Sequence, residues 1–306
     1  MMKNASLSSV IVNGLETHLA GVRRIGPASW FCTSGSAPDA LRVSLQGDWL
    51  IFEAQVDRPD LNEPGLELLA WNACLSPLVK WVRLPGGAAQ LRAEVPLEPA
   101  ERLWERMGSA CTAIQEAAAL SAGRSSFPPV PGPEADELDA ALDSVLRETI
   151  RLRCEELGWR FHRRASGRTF IDLEVPGEFY QAQLGATPDG TGASLFVELV
   201  PAMEDLSPVS CSAVTTALLL CGGEFLGART VARGPEGSGA AGLESALSPH
   251  PDGRELESVF SCLSVACATC GREISALQET AVARQYLAVQ GIDVAVMREM
   301  TRAAQD

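Results

Sequence analysis

Apolar positions along this chain fall into runs of period two and stripes of period three to four, and the same series of runs occurs twice, about 150 residues apart. In the first series Leu41, Val43 and Leu45 alternate with Arg42 and Ser44, and Leu91, Ala93 and Val95 alternate with Gln90, Arg92 and Glu94. Such alternation marks strands with one buried face. Pro85, Gly86 and Gly87 supply a turn between the last two strands. The pattern predicts a helix at about 5–20, strands near 27–32, 40–46 and 49–56, a helix at 65–75, strands at 78–84 and 88–95, and a closing helix at 98–120. The closing helix carries Ala100, Leu103, Trp104, Met107, Ala110, Cys111, Ile114 and Ala117 on one face.

The second series predicts a helix at 134–157, strands near 159–164, 169–175, 179–187 and 194–200, a helix at 208–221, two strands, and a closing helix at 252–277. Its closing stripe is Leu256, Val259, Phe260, Leu263, Ala266, Cys267, Cys270, Ile274 and Leu277. A longer hairpin loop at 233–240 accounts for the drift in offset between the copies. The period is too long for a solenoid unit, so the repeat reads as a duplicated domain. Residues 121–135, rich in Pro, Ser and Gly, read as a semi-rigid linker. The expected organisation is a first domain at 1–120, the linker, a second domain at 136–277, and a helical tail at 278–306. In that tail Val282, Tyr286 and Val289 precede a break at Gly291, with Val296 and Met300 beyond it.

At 306 residues with 46% apolar and 21% charged positions, each half can bury a core of its own. A formal charge of -14 argues against nucleic acid or an anionic membrane as a partner. Arg160, Arg163 and Arg164 read as a solvated strand end. No apolar run reaches the 18 or so residues of a membrane span. The N-terminal stretch shows no convincing cleavage site. Nine cysteines, scattered through segments that read as buried, fit a reducing compartment. The expected location is the cytoplasm.

Motifs with chemical meaning are weak. Gly237, Gly239 and Gly242 match the spacing of a dinucleotide-binding turn, but the residues that follow read as a strand and offer no helix N-terminus to a pyrophosphate. Cys267 and Cys270 form the only C-x-x-C, and both fall on the apolar stripe of a helix, with only His18, His162 and His250 to complete a zinc site. No nucleophile elbow precedes a helix. The carboxylate pairs Glu155–Glu156 and Glu204–Asp205 read as solvated charge. No catalytic, cofactor-binding or metal-ligating residue is assigned, and no cofactor is expected.

The order of elements, in a small acidic unit, resembles the class I type III secretion chaperones and the related YbjN-type family. Residues 68–107 carry the resemblance, with Leu69, Asn72, Leu75, Gly86, Leu91, Pro96, Leu97 and Leu103 where the family pattern expects them. The second copy departs from it, with Gly222 or Gly223 in the Asn region and Ser248–Pro249 in place of the Pro-Leu step. The resemblance implies an α+β fold, two tandem α-β-β-β-α-β-β-α units forming a pseudo-dimer within one chain. It also implies a non-enzymatic protein that holds a segment of a client, such as a secreted effector, and is itself a monomer.

One candidate partner surface follows from the strands. Leu50, Phe52, Ala54 and Val56 would face covering helices, yet Trp49 and Ile51 on the opposite face are also apolar, and Val79 and Trp81 alternate similarly. A second apolar face needs a cover, either the other half or a partner. Trp49, Ile51, Val79 and Trp81 are therefore the candidate partner-binding residues. A regulatory or scaffold protein of the YbjN type is the alternative, and an enzyme with an interdomain site, using Cys32 or Cys211, is a third reading.

Overall fold

The alternating segments pair into two antiparallel sheets of six strands each in a computed structural model of the chain. The structure describes residues 2–33, 40–56, 65–85, 87–122, 135–188, 190, 192–234 and 237–292. Most of the expected linker, the Gly86 turn position, and Val296 and Met300 of the tail lie outside the described residues.

The first half runs α1 (Met2–His18), β1 (Ala20–Gly26), β2 (Ser29–Thr33), β3 (Ala40–Gln46), β4 (Trp49–Gln55), α2 (Leu66–Cys74), β5 (Val79–Arg83), β6 (Ala89–Pro96) and α3 (Leu103–Ala122). Its sheet has the order β1-β2-β3-β4-β6-β5. The second half runs α4 (Ala135–Ala141), α5 (Ser144–Glu156), β7 (Phe161–Arg163), β8 (Thr169–Val175), β9 (Glu178–Ala186), β10 (Ala193–Val200), α6 (Pro208–Cys221), β11 (Arg229–Ala232), β12 (Ala241–Leu247), α7 (Gly253–Leu277) and α8 (Thr280–Val289). Its sheet has the order β11-β12-β10-β9-β8-β7. Each half therefore places its last two strands beside its fourth, and the two sheets match strand for strand.

Three expectations need correction. The first half has four strands before its middle helix, not three, so the unit is α-β-β-β-β-α-β-β-α. The missed strand, β1, has adjacent Arg23 and Arg24, is mostly exposed, and pairs with β2 through two register shifts, so it carries no two-residue alternation. The single helix expected at 134–157 is two, because the Asp143 side chain accepts from the backbone N–H groups of Val145 and Leu146 and starts α5 afresh. Val79 and Trp81 belong to the inner face of their sheet. Val79 pairs with Ala93 and Trp81 with Leu91, which pair in turn with Phe52 and Ala54. Directly paired residues share a face.

The inner face of sheet one packs under α3, which runs along β4, β5 and β6, with α1 lying against α3. In the second half α7 takes the matching place on β8, β10 and β12, and α8 closes on α6 and α7. Most buried apolar residues of both halves merge into one contiguous core, while Ala73, Phe196 and Val231 form a small separate cluster. That continuity comes from the middle helices. Leu69, Trp71, Asn72 and Ala73 of α2 are all buried, and α6 is buried on every side from Ser212 to Leu219. A helix buried all round sits between layers. Accordingly α2 packs on β11 of the other half, α6 packs on β5 of the first, and the two helices touch.

Candidate functional site

Where the middle helices cross, the outer faces of the two sheets meet charged groups with no access to water. Lys80 on β5 and Arg229 on β11 stand 149 residues apart, and Glu94 on β6 and Glu244 on β12 stand 150 apart. Each cation pairs with the carboxylate of its own sheet: Lys80 Nζ lies 2.7 Å from Glu94, and Arg229 Nε donates to Glu244 at 2.8 Å. Each cation also reaches into the opposite half. Lys80 donates to the carbonyls of Phe225 and Ala228 at 3.0 and 2.9 Å, and Arg229 donates to those of Leu75 and Ser76 at 3.1 and 3.2 Å. Leu75 caps the C-terminus of α2, where carbonyls lack helical partners and the helix dipole favours a cation.

Further bonds cross the same junction. Glu94 accepts from the Gly227 N–H at 2.8 Å. Arg92 donates to the Gly223 carbonyl at 2.7 Å while holding Glu53 at 3.0 Å. Asn72 accepts from the Trp81 N–H at 2.5 Å and donates to the carbonyls of Trp81, at 3.1 Å, and Thr230, at 2.8 Å, tying α2 to both edge strands. Arg233 adds a second guanidinium on Glu244 at 2.8 Å and stacks 4.0 Å above the Phe196 ring. Burial alone would raise the Glu244 carboxyl, but Arg229 and Arg233 outweigh it and hold the group below its usual range. Burial pulls the Lys80 ammonium down, against the opposing pull of Glu94.

Close approach fixes one residue here. Gly227 has φ +72°, and a Cβ on it would fall 2.6 Å from the Cys262 sulfur and 2.8 Å from the Trp49 ring. Both the backbone sign and the space admit only glycine.

The four candidate partner residues fall in different places. Ile51 lies on the outer face of sheet one, paired with Glu94, and is fully buried. Trp49 is half-buried beside Gly227. Val79 and Trp81 are buried in the inner core. Of these, only Trp49 offers any side-chain surface.

The candidate nucleophiles are not activated. Cys32 is buried and burial pushes its thiol up to about 11, while burial also raises Cys211, which is half-buried. Cys267 and Cys270 lie buried on α7, and burial pushes Cys267 up to about 12. A thiol held protonated is a poor nucleophile and metal ligand. We therefore expect a thiol reagent such as dithionitrobenzoate to leave Cys32, Cys111, Cys154, Cys221, Cys267 and Cys270 untouched in the native protein and to titrate them only on unfolding. Rapid native labelling of any of these six contradicts the packing described. Gly242 of the glycine motif sits within β12, and the motif leads into that strand, as expected. Among the described residues no group of three or more His, Cys, Asp or Glu side chains is placed to hold a metal ion.

No family model matches the chain, and neither does any curated protein. No helix among the described residues is long and apolar enough to cross a membrane.

Reading the strands by hydropathy overlooked Lys80, Glu94, Arg229 and Glu244, because a charge in a strand is by default assigned to the solvent side. A signal for them was present in the repeat: a base on the penultimate strand and an acid on the last recur at almost one offset in both copies.

Proposed function

We propose that this chain is a non-enzymatic protein-binding module, built of two fused units resembling type III secretion chaperones, that holds a segment of a client protein. The observation that carries the reading is the reciprocal junction. Each half lays its middle helix on the edge strand of the other and sets a buried cation against the other's carbonyls, which is the isologous geometry of a two-fold dimer realised within one chain. A protein so arranged keeps its remaining faces for a partner. Exposed apolar side chains on several of them, among them Ile25, Trp104, Phe179 and Val265, suit protein contact better than small-molecule capture.

The test combines mass and capture. Light scattering is expected to give a monomer of 32.5 kDa, because the dimer-like surfaces are already used. Tagged protein recovered from its source cells is expected to bring down one dominant protein in stoichiometric amount, whose level falls when this chain is deleted. An obligate homodimer, or a chain that recovers no such partner, counts against the reading.

A further inference from the structure

Cross-strand pairing in sheet one lines up one residue from every strand on the outer face: Arg23, Phe31, Arg42, Glu53, Arg92 and Lys80, in order from β1 to β5. Burial divides this row. Lys80, Arg92 and Glu53 lie at the junction, held by one another's neighbours and by the second half. Arg23 and Arg42 are exposed, and Phe31 between them is half-buried.

Among the described residues no carboxylate neutralises the exposed end. Glu53 is next in the row to Arg42, but its carboxylate is held by Arg92 at 3.0 Å. Arg24, beside Arg23, is committed to the carbonyls of Gly26 and Pro27 at the β1–β2 turn. Among the described residues neither Arg23 nor Arg42 makes an ion pair, and Arg23 rests 5.8 Å from the Phe31 ring centroid. The second sheet has a corresponding row, His162, Phe170, Gln183, Phe196, Glu244 and Arg229, which likewise ends on the buried cation. Its outer end carries His162 and Phe170, with Arg164 lying 4.2 Å over the Phe170 ring, so only sheet one sets a phenylalanine between two arginines of the same row.

We propose that the outer end of this row, Arg23, Phe31 and Arg42, docks an acidic segment of the client protein, with a carboxylate on each guanidinium and an aliphatic or aromatic side chain on Phe31. This rests on the reading of the chain as a holder of a protein segment, and it names the chemistry of what is held. Charge complementarity carries it. A chain with a net charge of -14 repels acidic partners at long range, yet that repulsion is screened within about 8 Å at physiological salt, and two unpaired guanidiniums flanking an aromatic ring then dominate locally. Two strand spacings separate Arg23 from Arg42, about 10 Å. Carboxylates three residues apart on a chain in the polyproline II conformation, with three residues per turn, lie on one edge and span about 9 Å.

The probe is a fluorescein-labelled Glu-Ala-Leu-Glu-Ala-Leu-Glu peptide, with its Lys-for-Glu counterpart as control, followed by anisotropy. Wild type is expected to bind the acidic peptide, more weakly as salt rises, and not the basic one. The double variant R23E/R42E is expected to lose about tenfold or more in affinity for the acidic peptide and to gain binding to the basic one. Both positions are exposed, so circular dichroism and thermal midpoint should match wild type. No saturable binding by wild type, or equal affinities in wild type and variant, overturns the surface. A cellular client retained in full by the variant also overturns the surface while leaving the holder reading intact, whereas wild type that captures no client overturns the holder reading itself.

Discussion

Replacing Glu244 by Gln is expected to cost about 3–5 kcal/mol of folding stability, because it leaves Arg229 and Arg233 facing each other as buried cations without their shared counter-charge. Glu244 is 2% exposed and has a guanidinium on each carboxylate oxygen. The substitution preserves shape, so the loss reports charge. Guanidinium chloride denaturation gives the value, and a change below about 1 kcal/mol would mean that the arginines relax to water. Replacing Glu244, Arg229 and Arg233 together by apolar residues is expected to recover much of the loss, since a buried ion cluster competes closely with a well-packed apolar one. The same group sets an acid dependence. Its folded pKa lies below the ordinary 4.5, so its contribution is complete above that value and disappears as pH falls through the folded pKa. The Gln variant should therefore lose less stability on acidification than wild type does.

Trp81→Ala is expected to cost a similar amount, about 3–5 kcal/mol, for a different reason. The side chain is fully buried on the inner face beside Leu91 and Ala54, and removing it leaves a void that the surrounding core can fill only in part. At residue 81 the Asn72 amide bonds only the backbone, which the substitution keeps, so the loss reports the buried side chain. A residue on a partner-binding surface would behave otherwise, with stability near wild type and a lost client. Denaturation of the variant separates the two outcomes. A midpoint unchanged from wild type would return Trp81 to the list of surface contacts.

Much of the fold is legible in the sequence because Leu41, Val43 and Leu45 of β3 and Leu91, Ala93 and Val95 of β6 alternate for a single burial cause, the face turned to the core. The helix expected at 208–221 is legible as α6, Pro208–Cys221, which carries no charged side chain. What escapes the sequence is whatever depends on the other half. The outer face of β5 and β6 carries Lys80, Arg92 and Glu94, which reads as a solvated face until the 222–228 segment is laid over it. β1 escapes because its exposure and register shifts remove any alternation. The Arg23–Phe31–Arg42 row escapes because its members come from three strands, and only pairing register brings them together.

The central claim is that the two halves are clasped into one cooperative unit. Five of the six tryptophans lie in the first half and only Trp159 in the second, so in a Trp159→Phe background all tryptophan fluorescence comes from first-half residues. The decisive measurement is denaturation of that protein with and without Glu244→Gln, a change made entirely within sheet two. If the halves are clasped, the first-half fluorescence midpoint shifts by as much as the far-ultraviolet circular dichroism midpoint, in a single transition. A fluorescence midpoint that stays put while the circular dichroism splits into two steps would contradict the account.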